Sequence, residues 1–197
     1  IQRGYARPAL AVGENSFVLY NRSGKALRVE SRTQNLYTKT MENSITLCAM
    51  ADNGTLAVVT EDPGSAARLR VYSSSMEQLL SWSLTIADGT PLRLAFSPDG
   101  RRLAVAAVAV NGGQMVTNFY VVTLAQGVPL LVGSGSGAAQ WLSWTGSQRI
   151  LAVCDSRAVL YNASGGERAA YDFTGRTLRG ISVDASGNTA LLLASGQ

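Results

Sequence analysis

The sequence predicts an all-β chain made of the four-stranded antiparallel blades of a β-propeller, and three observations carry that expectation. The tripeptide Leu-Ala-Val recurs at Leu10–Val12, Leu56–Val58, Leu103–Val105 and Leu151–Val153, at intervals of 46, 47 and 48 residues. Residues 10–24 and 151–165 align without a gap and agree at nine of fifteen positions. Between the copies, short β-rich runs alternate with turn signals roughly every 8 to 12 residues, and no helical period persists. Four antiparallel strands in a period of about 40 to 48 residues is the signature of a blade, which buries its faces against the blades beside it.

The units are expected over residues 9–31, 45–84, 92–132, 140–173 and 178–197. The first opens at what reads as a second strand, Ala9 to Gly13, and Ser31 to Asn43 reads as a connection to the next unit. The second runs Ile45 to Met50, a turn at Ala51-Asp52-Asn53-Gly54, Thr55 to Thr60, a loop from Glu61 to Ala67, Arg68 to Ser73, and Leu79 to Leu84. The third holds Leu92 to Phe96, the turn Ser97-Pro98-Asp99-Gly100, Arg102 to Val110, a loop from Asn111 to Met115, Thr117 to Leu124, and Val128 to Val132. The fourth follows with Gln140 to Trp144, Ile150 to Cys154, Ala158 to Asn162 and Arg168 to Phe173, and the fifth with Leu178 to Val183 and Thr189 to Leu193. Asn-Gly and Asp-Gly pairs fall where tight hairpins need a positive φ. Each Leu-Ala-Val run is expected as a second strand, apolar on both faces because it is packed between neighbouring blades.

The segment Ser97-Pro98-Asp99-Gly100-Arg101-Arg102-Leu103-Ala104-Val105 resembles the SPDG-x-x-L-A-V signature of bacterial WD-repeat-like propellers, the superfamily that includes TolB-type domains. The other copies depart from it (ADNG-TLAV, TGSQRILAV, DASGNTALL), and no Gly-His or Trp-Asp pair marks a eukaryotic-type WD repeat. The whole pattern is also similar to membrane-anchored propeller proteins of Gram-positive bacteria. That resemblance implies an extracytoplasmic module, anchored by a helix upstream of this chain. About four blades are present, and two arrangements are open: a four-bladed ring completed by Leu178 to Val183, or part of a six- to eight-bladed propeller, which the mid-blade opening favours. Open edges could pair two copies as a homodimer.

Composition narrows the chemistry. The chain of 197 residues is 46% hydrophobic and 15% charged, and no apolar run approaches the about 18 to 20 residues that span a bilayer. It begins Ile1-Gln2-Arg3, with no apolar signal core after it, which reads as a processed or engineered cut. The net charge of +4 is dispersed, with only Arg101 and Arg102 adjacent, whereas a nucleic-acid binder needs a contiguous cationic stripe. Cys48 and Cys154 sit among apolar neighbours and read as buried free thiols. There is no histidine, which removes Ser-His-Asp and Cys-His catalysis and the commonest zinc ligand. No metal and no cofactor is expected. Asp52, Asp99 and Asp184 fall at equivalent turns and read as backbone caps, since one carboxylate per turn is too few for calcium.

Gly133-Ser-Gly-Ser-Gly-Ala138 fits a loose dinucleotide-binding pattern, but AAQWLSW after it reads as a strand where that fingerprint requires a helix. It is expected as a flexible loop between blades. Trp141 and Trp144, three apart on a strand, point to opposite faces and cannot form one stacking platform. Asn21, Asn53 and Asn162 begin formal glycosylation sequons but read as hairpin residues. Binding residues are sought on the long connections, because loops on a rigid scaffold are where recognition concentrates. Tyr37, Lys39, Glu61, Asp62, Asn111 and Gln114 are the candidates. The reading is a non-catalytic binding or scaffold module of a bacterial cell-envelope protein, its partner a protein or envelope ligand. The alternatives are a propeller hydrolase or lyase that works through carboxylates, and a purely structural envelope component.

Overall fold

The computed structural model describes residues 5–184 and 187–195. The start at Ile1, Gln2 and Arg3, turn residues 185 and 186, and the last two residues of the unit expected over 178–197 lie outside the described residues. The chain separates into two compact units, residues 1–86 and 87–197. In the first, β1 (Pro8–Val12), β2 (Ser16–Asn21), β3 (Ala26–Ser31) and β4 (Asn35–Thr40) form one antiparallel meander. A second meander follows: β5 (Ile45–Met50), β6 (Leu56–Thr60), β7 (Ala67–Tyr72) and β8 (Gln78–Leu84). The second unit holds β9 (Thr90–Phe96), β10 (Arg102–Asn111), β11 (Gln114–Thr123) and β12 (Pro129–Ser136) as the third sheet. The fourth sheet is β13 (Trp141–Trp144), β14 (Arg149–Val153), β15 (Arg157–Asn162) and β16 (Glu167–Asp172). A two-stranded fifth sheet pairs β17 (Arg176–Val183) with β18 (Thr189–Ser195).

Alternation within strands explains how the sheets stack. In β14, Ile150 and Ala152 join a core with Ala104, Ala106 and Phe119 of the third sheet. Leu151 and Val153, on its opposite face, meet Ile181, Leu191 and Leu193 of the fifth. A strand buried on both faces is apolar throughout, and β6 is likewise buried at all five positions. In the first unit, Val18, Leu27 and Val29 of the first sheet pack on Ile45, Cys48, Leu56 and Val58 of the second. Trp141 and Trp144 do point to opposite faces, Trp141 toward the fifth sheet and Trp144 toward the third. Cys48 and Cys154 are buried free thiols.

Three expectations are corrected. Leu10–Val12 lies in a first strand, β1, whereas the other three copies lie in the second strands β6, β10 and β14. The likeness of residues 10–24 to 151–165 is a likeness of hairpins: Gly13 N–H donates to Ser16 O at 2.9 Å as Cys154 N–H donates to Arg157 O at 2.9 Å. Position in the sheet differs, so Leu10 and Val12 are 57% and 65% exposed while Leu56 and Val58 are fully buried. Second, Ser31 to Asn43 is not merely a connection, because it holds β4, paired to β3 through Leu27–Lys39 and Val29–Tyr37. One face of β4 is exposed, so its residues are largely polar and hide the strand from a hydrophobic reading. With four strands already in the first sheet, Leu178 to Val183 pairs with β18 instead.

Third, Gly133 to Ser136 belong to β12 and are not a flexible loop. Gly133 pairs with Phe119 and Gly135 with Thr117, and both glycines face the fourth sheet. A methyl group on Gly133 would run into the ring of Tyr161, and one on Gly135 would come within 3.1 Å of Cys154 Sγ. Bare backbone lets Tyr161 lie against β12 and donate its hydroxyl to Ser134 O at 3.0 Å. The strand after it, β13, replaces the helix that a dinucleotide site needs. No helix among the described residues is long and apolar enough to cross a membrane. Gly133→Ala is expected to lower unfolding stability by about 1–3 kcal/mol through overpacking, read by urea denaturation. Ser134→Ala, at an exposed position, is expected to stay within about 0.5 kcal/mol of the parent.

Candidate functional site

The β5–β6, β9–β10 and β13–β14 turns share one construction. Ala51 N–H donates to Thr55 O, Ser97 to Arg102 O and Thr145 to Arg149 O, each at 2.9 Å. Gly54 and Gly100 take the positive-φ corner, at φ 83° and 67°. Asp99 caps its own turn, accepting from Arg101 N–H at 3.1 Å and Ser97 Oγ at 2.5 Å, and Asp184 accepts from Asn188 N–H at 2.8 Å. Those Ser97 and Arg101 hydrogen bonds hold the Asp99 carboxyl below the ordinary range. Asp52 departs from this scheme: it accepts from Glu14 N–H at 2.9 Å, in the β1–β2 turn, and ties the first sheet to the second.

The six candidate residues fall into three settings. Tyr37 and Lys39 stand within β4, on the face that leans on the first unit's core. The Tyr37 hydroxyl is buried without a hydrogen-bond partner among the described residues, and burial raises its pKa. Lys39 Nζ lies 4.3 Å from the centre of the Tyr72 ring, a cation–π contact. Both residues are engaged in packing rather than displayed on a loop. Glu61 is exposed in the β6–β7 loop, its N–H donating to Ser44 O at 2.9 Å. Asn111 and Gln114, in the other unit, face each other across the β10–β11 turn, and both are exposed. The strands run right up to Gly112 and Gly113 there, so a long hairpin replaces the five-residue loop.

Asp62 organises the β6–β7 loop. Its Oδ2 accepts from Ser65 Oγ at 2.7 Å, from Arg68 Nη2 and Nε at 3.0 and 3.2 Å, and from Ser83 Oγ at 3.4 Å. The Ser65 hydrogen bond, then those of Arg68, hold the carboxyl below its ordinary value. The loop tip, Pro63-Gly64, is exposed on this fixed base.

Two clefts in the second unit escaped the sequence reading. One, of about 290 Å³, opens between the third and fourth sheets, with Ser134 and Gly135 on one wall and Cys154, Arg157 and Tyr161 on the other. Burial, with the Asp155 carboxylate beside it, pushes the Cys154 thiol up to about 11. That thiol stays protonated near neutrality and acts as packing rather than as a nucleophile. Arg157 Nη2 pairs with Glu167 Oε1 at 2.9 Å, both partners largely solvated. The period-two glycines of residues 133–137 were the available signal, since alternate bare positions mark a strand with a vacant face. The second cleft, of about 420 Å³, is an apolar groove lined by Leu160, Ala169 and Tyr171 on one side and Thr189, Leu191 and Leu193 on the other. No three carboxylate or thiol side chains among the described residues stand close enough to hold a metal ion.

This architecture matches solved propellers. The chain superposes on KlAtg21, solved in complex with the coiled coil of AgAtg16, with a TM-score of 0.70 at 12% identity, over 93% of this chain and 62% of that one. It superposes on the Cps50 (Swd1) β-propeller domain of Myceliophteria thermophila with a TM-score of 0.68 at 10% identity, over 98% of this chain and 63% of that one. A TolB-type protein of Agrobacterium tumefaciens gives 0.61 at 12% identity, over 95% and 70%. The chain thus spans under two thirds of the length of the first two. The fold is that of a β-propeller, as the repeated four-stranded units implied. Comparison by sequence with curated proteins found no match.

Asp62→Asn is expected to destabilise the chain at neutral pH. A carboxyl held below its ordinary pKa gives stability that is present above about 3.9 and is lost as pH falls through the lowered value. The difference between variant and parent should therefore vanish in acid, measured by denaturant titration at pH 7 and pH 2.5. Cys48 and Cys154 are expected to resist an aromatic disulfide reagent at pH 8 in the native chain and to react in denaturant, counted by released thiolate. The family described as "Family of unknown function (DUF5711)" matches residues 2–123, well over half of the chain, and the chain belongs to it.

Proposed function

We propose that this member of that family is a non-catalytic binding or scaffold module, belonging to a bacterial cell-envelope protein that is extracytoplasmic and membrane-anchored. The observation that carries the reading is how the chain uses its carboxylates. Asp52, Asp62, Asp99, Asp155 and Asp184 each accept hydrogen bonds that hold a turn or loop. Side chains spent on the scaffold leave preformed loops to present other groups, and rigid loops bind with little ordering cost. The β6–β7 loop is the best formed of them, with Glu61, Pro63 and Gly64 exposed above the Asp62 network. Solved propellers of this fold include one captured with a coiled-coil partner, which supports a protein as the ligand class.

A photoreactive amino acid placed at position 63 in producing cells tests this directly. Discrete protein adducts at position 63, absent when the same group sits at exposed position 175 and reduced severalfold by Asp62→Ala, are expected. Turnover of glycoside, ester or polyuronide substrates that Glu61→Gln or Asp62→Asn abolishes would establish the enzyme reading instead.

A further inference from the structure

We propose that Asn111, at the tip of the β10–β11 hairpin, is a site of spontaneous covalent modification, where the side-chain amide is lost as ammonia and a carboxylate takes its place. Asparagine is among the chemically labile residues, and the reaction is intramolecular. The backbone nitrogen of Gly112, having given up its proton to hydroxide, adds to Asn111 Cγ. The bond from Cγ to the side-chain nitrogen then breaks, and that nitrogen takes a proton from water and leaves as ammonia. Water opens the resulting five-membered cyclic imide at either carbonyl, giving aspartate or its β-linked isomer. One water is consumed and one ammonia released, with no change of oxidation state.

Closure of that ring sets three conditions. The attacking nitrogen must not be crowded by a side chain of its own residue, its N–H must not be held by an acceptor, and the asparagine amide must be free to turn toward it. An Asn-Gly pair meets the first, because glycine has no Cβ, and the chain has two such pairs, Asn53-Gly54 and Asn111-Gly112. The fold separates them on the other two. Asn53 Oδ1 accepts from Thr55 N–H at 3.0 Å, and Gly54 N–H donates to Ala51 O at 3.0 Å, so closure there must break both bonds.

At the hairpin tip neither restraint exists among the described residues. The Gly112 N–H donates to no acceptor and the Asn111 amide makes no hydrogen bond. Pairing with β9 reaches only to Val108 and pairing with β12 only to Val116, and residues 110–115 are all exposed. Gly112 and Gly113 make the turn at φ 57° and 78°, and a Cβ added to either would meet nothing within 4 Å. The ring uses neither the Asn111 N–H nor its carbonyl oxygen, so the pairing of Asn111 with Gln114 does not oppose closure.

The product changes what the hairpin presents. No charged residue lies between Arg102 and Arg149, so a carboxylate at position 111 introduces charge into a neutral length of chain. It would stand beside Val110 and Met115, a cross-strand pair 75% and 53% exposed. The change runs one way, since water does not restore the amide. Burying the new charge against another molecule would cost far more than burying the neutral amide.

Peptide mapping by mass spectrometry tests the proposal on the full natural polypeptide that carries this chain, held in mildly alkaline buffer made with heavy-oxygen water. The heavy oxygen marks each carboxylate formed during incubation and separates it from any present at the start. In the folded protein Asn111 is expected to convert at least about tenfold faster than Asn53, since one hydrogen bond to be broken is worth roughly that factor, while in denaturant the two rates should lie within about threefold of each other. Equal rates at the two sites in the folded protein, or faster conversion at Asn53, would overturn the proposal. So would an Asn111 that keeps its amide in the folded protein while the denatured protein converts.

Discussion

A sheet whose second strand is apolar on both faces has no stable existence by itself. Burying Leu151 and Val153 on one side of β14 and Ile150 and Ala152 on the other demands a neighbour on each side. At about 25 cal/mol per Å² of apolar surface, that stacking is the dominant favourable contribution, and the repeated sequence distributes it over the stacked sheets within each unit. Everything else in the described units is subordinate to bringing the sheets into contact. Glycines strip β12 so that Tyr161 can approach, and Trp144 reaches back to donate to Ala95 O at 2.8 Å. Arg102 extends from the third sheet to lie 4.9 Å from the Trp144 ring and to donate to Ser147 O in the next turn.

The same constraint explains where polar chemistry sits. With strand interiors committed to packing, ionisable groups are confined to turns and outer strands, where they stabilise local geometry. Asp62 shows the consequence: one carboxylate gathers two serines and an arginine and fixes a loop that would otherwise lose its shape. A scaffold of this kind holds its loop geometry still. In the cleft beside Cys154, burial moves the thiol away from reactivity.

Repeat period and hairpin chemistry were legible because they depend on local rules. Leu-Ala-Val in β6, β10 and β14, the Asp99 cap and the opposed tryptophans all follow from period-two alternation and turn preference. What the residues concealed was phase and cover. Leu10–Val12 resembles the later copies because its hairpin is the same, but which strand of a sheet it forms depends on what packs against it. β4 was hidden because its exposed face accepts polar residues, and β12 because glycine signals a loop unless its period is noticed. Tyr37 and Lys39 followed β4 out of the loop class, while Glu61 and Asp62 remained where loop length placed them. The apolar groove could not be read at all, since it arises from the spacing of β16 and β18, which lie in different sheets.

The fold depends on direct contact between successive sheets within each unit, and one measurement addresses that contact without perturbing the chain. In a nuclear Overhauser spectrum of the folded protein, the Gly133 α-protons should show strong cross-peaks to the Tyr161 ring and be displaced by its ring current. Gly133 α-protons at random-coil positions, with no cross-peak to Tyr161 in a folded sample, would contradict the stacking on which the architecture depends.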